Sequence, residues 1–136
     1  MNHPIRILLV DDSPHFLDAA RDFLLLNKTL EVAGAAADGQ AGLAQALELK
    51  PDVILLDLNL GGQSGLDLIP LFKKQMPKTK VVILTIMQEE PYRAAVLERG
   101  ADAFVHKRNI TQTLVPTIVE LMNRPDDKPA GKESKS

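Results

Sequence analysis

Five polar residues stand out because each ends or directly follows an apolar run. Asp11 and Asp12 follow Ile5-Arg6-Ile7-Leu8-Leu9-Val10, Asp57 follows Val53-Ile54-Leu55-Leu56, Thr85 follows Val81-Val82-Ile83-Leu84, and Lys107 follows Ala103-Phe104-Val105-His106. Carboxylates brought into one cleft repel each other, by ~4 kcal/mol for a pair ~4 Å apart at the effective dielectric near a protein surface. Such a cluster calls for a cation. Its hard oxygen donors suit Mg²⁺, which keeps several waters and takes one or two protein carboxylates plus a phosphoryl oxygen. A lysine adds a second positive charge and a threonine a hydroxyl. That combination handles phosphoryl groups, where charge compensation and positioning supply most of the catalysis.

The five residues meet only if their runs are parallel neighbours in one sheet, and the rest of the chain argues that they are. Four large aliphatics without alternation before Asp57 fit a strand covered on both faces. Further strands are expected at Ile5–Val10, Leu30–Ala37, Val81–Leu84 running into Thr85, and Ala103–His106 running into Lys107. Ser13 is placed to cap a helix that begins with Pro14 and carries Phe16, Leu17, Ala20, Phe23 and Leu24 at helical spacing toward Asn27. Asp38 caps a second helix that Lys50-Pro51 stops. Asn59 to Gly65 reads as a loop. Ser64 and Asp67 then open a third helix in a variant of the capping box, with Leu66, Ile69 and Phe72 as its stripe and Pro77 closing it. Pro91 and Gly100 bracket a fourth helix.

The last helix lies between Asn109 and Arg124 with Pro116 inside it. An interior proline costs ~3 kcal/mol or more, so a start near Thr113 or a kink is expected. Five strands alternating with five helices predict an α/β fold with a doubly wound parallel sheet, because parallel neighbours need crossover helices. In such a sheet all strand C-termini share one edge, which is where ligands bind.

A length of 136 residues suits one domain. A net charge of −2 argues against a dedicated nucleic-acid surface, which would be strongly basic. The absence of cysteine excludes thiol chemistry and disulfides. No apolar run approaches the ~18 residues that span a bilayer, and the first strand is too short for a secretory core, so a cytoplasmic location and no membrane partner are expected. The domain is assigned to residues 1–124, and the polar stretch 125–136 to a disordered tail or linker stub.

The acidic pair Asp11-Asp12, with Asp57, Thr85 and Lys107 at successive strand ends, resembles the receiver domain of two-component response regulators over roughly residues 4 to 124. Val10-Asp11-Asp12-Ser13-Pro14 and the Lys107-Arg108 junction resemble most those attached to LuxR-type helix-turn-helix outputs. The resemblance implies a five-stranded parallel sheet in the order 2-1-3-4-5, helices on both faces. It implies that Asp57 is the phosphoacceptor, attacking the phosphohistidine of a sensor histidine kinase. It also implies Mg²⁺ bound by Asp12 directly, Asp11 through water, Asp57, and the backbone carbonyl of Asn59. Thr85 and Lys107 would engage the phosphoryl group, and Phe104 would be the aromatic switch that rotates inward as Thr85 moves. Phosphorylation would then act on an output domain or downstream protein through the face of helix four, strand five and helix five. A homodimer is compatible with this scheme.

Three positions depart from the family pattern. Asn59-Leu60-Gly61 stands where Met-Pro is usual, Ile86 follows Thr85 where a small residue is favoured, and Phe104 lacks the usual tyrosine hydroxyl. The bulk of Ile86 is expected to slow attack by water.

The competing readings are a Mg²⁺-dependent phosphatase or phosphotransferase, a flavodoxin-like cofactor binder, and a receiver-like scaffold that is never phosphorylated. The first wants a general acid and a covering insertion near Asp57. The second wants a hydroxyl-rich phosphate loop where this chain has two acids. The leading reading is a signalling switch, not a turnover enzyme. His3, His15 and His106 have no metal-ligand spacing, Gly61 to Gly65 is not a phosphate cradle, and Lys73-Lys74 reads as solvated charge.

Overall fold

The computed structural model of the chain describes residues 3–86 and 90–124. Five parallel strands form its sheet: β1 (Ile5–Val10), β2 (Leu30–Ala36), β3 (Val53–Asp57), β4 (Lys80–Thr85) and β5 (Ala103–His106). Their order is β2-β1-β3-β4-β5, as the resemblance implied. β3 is central and all five of its residues are buried, which is why its sequence does not alternate.

Helices α1 (Pro14–Leu25), α2 (Gly39–Leu49), α3 (Gly65–Gln75), α4 (Glu90–Glu98) and α5 (Ile110–Met122) connect and flank the strands. Alternate strand side chains feed two apolar layers. Leu8, Val10, Ile54, Leu56 and Ile83 pack with Ala46, Ile69, Phe72 and Val96 of α2, α3 and α4. Ile7, Leu9, Leu55, Val82 and Leu84 pack with Ala20, Leu24, Leu114, Ile118 and Leu121 of α1 and α5. The sheet is thereby covered on both faces and exposes only its edges and strand ends.

The helix starts follow the expected chemistry. Ser13 Oγ accepts from Phe16 N at 3.2 Å and Asp38 Oδ1 from Ala41 N at 2.8 Å, each satisfying an otherwise unpaired first-turn donor. Lys50 takes the left-handed conformation, φ 50°, that ends α2. At α3 only the Ser64 half of the capping box forms. Its Oγ accepts from Leu66 N, while the Asp67 carboxylate lies 3.3 Å from Arg99 Nη1.

Four features correct or extend the sequence reading. The segment after β3 is not a plain loop: Asn59–Leu60 and Gln63–Ser64 pair antiparallel across Gly61-Gly62. Gly61, with φ +62°, is the first central residue of that turn and Gly62 is not in the left-handed region, the II′ arrangement that fits hairpin twist. The last helix does not start near Thr113 but at Ile110, directly after the 3-10 turn Lys107–Asn109. Pro116 is tolerated because both it and Gln112, whose carbonyl it leaves without an amide donor, are exposed to water.

Pro70 inside α3 removes the amide that would bond Leu66 O, and Arg99 Nη1 donates to that carbonyl at 3.2 Å. Lys73 is not solvated charge. Its Nζ donates to Thr79 O at 2.7 Å and to Asp102 Oδ2 at 2.9 Å, and the same carboxylate accepts from Val81 N at 2.9 Å. The stretch 125–136 expected to be a tail lies outside the described residues, and among those described no helix is long and apolar enough to cross a membrane.

Candidate functional site

β1 and β3 are adjacent, in register from Ile7 with Val53 to Val10 with Leu56, so the residues that follow Val10 and Leu56 emerge side by side. Chain connections leave those two strands in opposite directions across the sheet, toward β2 from one and toward β4 from the other. That divergence opens a crevice at the strand C-termini. Asp11, Asp12, Asp57, Asn59, Thr85 and Lys107 all line it, together with Ser13, Phe16, Gly61 and Ile86, and its volume is about 710 Å³.

Asp11, Asp57 and Thr85 are buried there, while Asp12 is exposed. One carboxylate oxygen from each of Asp11, Asp12 and Asp57 lies within 4.8 Å of the others. Lys107 reaches in from the end of β5, its Nζ 2.7 Å from Asp11 Oδ2 and 3.6 Å from Asp57 Oδ1. Asp11 is further held by Ser13 N, which donates to its Oδ1 at 2.9 Å. Asp12 makes no hydrogen bond or ion pair among the described residues, so its carboxylate is open to a ligand.

The Asp57 carboxyl is pushed up from 3.8 to about 6. Burial is the main cause. The Lys107 ammonium pulls it down, Asp11 pushes it up, the Asn59 backbone N–H donated to it pulls it down, and Asp12 pushes it up again. A carboxylate destabilised in this way is a stronger nucleophile toward an electrophile that removes its charge and a stronger ligand for a cation. An all-oxygen donor set fits a hard divalent ion.

The hairpin over the site is set by Gly61. A Cβ there would stand 3.2 Å from Asp12 Oδ2, and the positive φ is costly for any other residue. Gly65 is required by close approach: a Cβ there would meet Asp57 O at 2.6 Å, where Gly65 N donates to Leu58 O and folds the segment back against the end of β3.

Six of the seven residues singled out in the sequence therefore share one cleft. Phe104 does not line it. Its ring is buried in the layer shared with α2, α3 and α4, with Arg93 of α4 5.6 Å from its centroid. Ile86 sits at the rim and is 74% exposed. Sequence reasoning missed Phe16, whose ring centroid is 4.0 Å from Lys107 Nζ. The available signal was its position in the first turn of the helix that follows Asp11-Asp12.

Residues 7–119 match the family model described as the response regulator receiver domain. The transcriptional regulatory protein MctR of Rhizobium johnstonii is 34% identical over 114 residues, covering 84% of this chain and 53% of that protein. The response regulator domain of CheB from Thermotoga maritima has a TM-score of 0.83 and 30% identity, covering 90% of this chain and 99% of its own. A LuxR-family two-component response regulator from Aurantimonas sp. SI85-9A1 has a TM-score of 0.83 and 26% identity, covering 98% of this chain and 99% of its own. The chain spans about half the length of the curated relatives it matches.

Proposed function

This chain belongs to the response regulator receiver domain family, and from that premise we propose that Asp57 accepts a phosphoryl group from the phosphohistidine of a sensor histidine kinase. The observation that carries the proposal is the placement of Asp57: buried at the end of β3, 3.6 Å from the Lys107 ammonium and within carboxylate-cluster distance of Asp11 and Asp12.

In the transfer, an Asp57 carboxylate oxygen attacks phosphorus, forming the O–P bond of an acyl phosphate. The N–P bond breaks, and its electron pair stays on the imidazole nitrogen of the kinase. Lys107 compensates charge on the incoming oxygens, and the Thr85 hydroxyl, from the end of β4 in the cleft lining, hydrogen-bonds one of them. Asp12 directly, Asp11 through water, Asp57 and the Asn59 backbone carbonyl would hold Mg²⁺, which when bound supplies further positive charge to the phosphoryl oxygens. The open Asp12 carboxylate and the engaged Asp11 support that division. Ile86 lines the rim of the cleft, and its bulk there would slow attack by water on the acyl phosphate.

The signal would leave the site through β4 and β5. Thr85 is in register with His106 and Ile83 with Phe104, so a displacement of Thr85 acts directly on the strand that carries Phe104 and, through Arg93, on α4. The face of α4, β5 and α5 then acts on an output domain or downstream protein in the cytoplasm, with a homodimer compatible with the scheme.

Intact mass after incubation with acetyl phosphate, with and without Mg²⁺, tests this. A Mg²⁺-dependent gain of one phosphoryl group that Asp57→Asn abolishes is expected. No gain in the wild type with Mg²⁺ bound would leave a scaffold in place of a switch.

A further inference from the structure

We infer that Phe16 is a positioning residue for Lys107, holding the ammonium over its ring face so that it can pass from Asp11 to a phosphoryl oxygen on Asp57. The inference deepens the phosphoacceptor reading and rests on it for its kinetic arm. Lys107 Nζ has three neighbours of known distance: Asp11 Oδ2 at 2.7 Å, Asp57 Oδ1 at 3.6 Å and the Phe16 ring centroid at 4.0 Å. The negative face of an aromatic ring attracts a cation within ~6 Å of its centroid, more strongly when water is excluded. Only 14% of the Lys107 side chain is exposed.

A Phe in the first turn of α1 is ordinarily a core residue, and this one does pack in part against the layer under α1 and α5. Its backbone, however, is tied into the site. Phe16 N donates to Ser13 Oγ, Ser13 N donates to Asp11 Oδ1, and the other oxygen of that carboxylate takes Lys107. Asp11, Ser13, Phe16 and Lys107 thus form a closed circuit that fixes the start of the helix carrying the ring to the carboxylate that anchors the lysine.

The chemistry explains why a ring serves better here than a hydrogen-bond acceptor. A carbonyl or carboxylate on that side would hold the ammonium in one direction and compete with the phosphoryl group for its protons. The ring attracts the charge without fixing where its N–H bonds point, and it displaces water. Lys107 can exchange one acceptor for another while keeping the same support.

Three readouts test the inference. The ε-methylene signals of Lys107, assigned by NMR with Lys107→Ala, are expected to carry an upfield ring-current shift that Phe16→Tyr keeps and Phe16→Leu loses. Mass-resolved phosphorylation by saturating acetyl phosphate with Mg²⁺ is expected to slow roughly fivefold in Phe16→Leu and to be retained in Phe16→Tyr. The same Phe16→Leu change made in a Lys107→Ala background is expected to slow the reaction no further, because its effect runs through the lysine. Phe16→Met replaces the leucine variant if circular dichroism shows that variant unfolded.

Wild-type rates in Phe16→Leu, or an equal loss with and without Lys107, would overturn the inference and leave Phe16 as packing. No phosphorylation of the wild type would overturn the phosphoacceptor reading instead. The ring-current shift then decides alone whether Phe16 holds Lys107, and its absence would overturn the inference.

Discussion

At the scale of single residues, Asp57 is where stability and chemistry conflict. Its carboxyl is raised from 3.8 to about 6, chiefly by burial, so the folded state holds its proton more tightly than the unfolded chain does. The stabilisation this gives is complete below the unfolded value and is lost as pH rises through the folded one. In metal-free protein, stability is therefore expected to fall by roughly 2 kcal/mol between pH 4 and pH 7 on account of this group. Urea denaturation with a chelator present checks it. Asp57→Asn is expected to remove that slope and to be more stable than the wild type at neutral pH, while Asp12→Asn, altering an exposed carboxylate, leaves most of it. The place of Asp57 in the cleft was legible because a buried parallel strand is a continuous apolar run, and a carboxylate ending such a run has no packing reason to be there. Phe16 was not legible, because a ring at helical spacing looks the same whether it faces a leucine or an ammonium 91 residues further along the chain.

At the scale of elements, two short constructions fix how the strands present the site. The hairpin at Asn59–Ser64 depends on φ +62° at Gly61, a conformation closed to proline, whose φ is held near −65°. Restoring the family's usual residue by Gly61→Pro is thus expected to destabilise this chain by roughly 1–3 kcal/mol and to weaken divalent-cation binding, read by urea denaturation and by Mg²⁺ titration. At the opposite edge of the sheet, Asp102 joins Lys73 of α3 to the amide of Val81 at the start of β4. Asp102→Ala leaves a largely buried ammonium and an amide without that acceptor and is expected to cost about 3 kcal/mol, whereas Asp102→Asn costs less. Denaturant midpoints of the two variants check the order. The Gly61-Gly62 pair is a local hairpin signal that the loop reading overlooks, whereas the Asp102 bridge could not be read from local pattern. Lys73 and Asp102 are 29 residues apart, and the Arg99 that takes the carbonyl orphaned by Pro70 lies 33 residues beyond Leu66. Helix caps and the parallel sheet were readable because they depend on neighbours in sequence and on the need for crossover helices, whereas the strand order came from the family resemblance. The start of α5 was misread because proline was weighed without knowing that its turn faces water.

At the scale of the whole molecule, a cation held by the acidic cluster would couple its binding to global stability. A ligand that binds only the folded state stabilises it by ~2.7 kcal/mol at a hundred times its Kd. Mg²⁺ is therefore expected to raise the melting temperature of the wild type by several degrees and to do so much less in Asp12→Asn, as calorimetry at fixed ionic strength would show. Among the described residues, β3 contributes side chains to both apolar layers. One contact adds a dimension in time. The Lys107–Asp11 ion pair spans 96 residues of chain and joins the first strand end to the last. A polypeptide emerging from the ribosome thus exposes Asp11, Asp12 and Asp57 long before the lysine that balances them. The nascent chain holds three acids without their counter-charge, and the charge-balanced cluster exists only once β5 has docked.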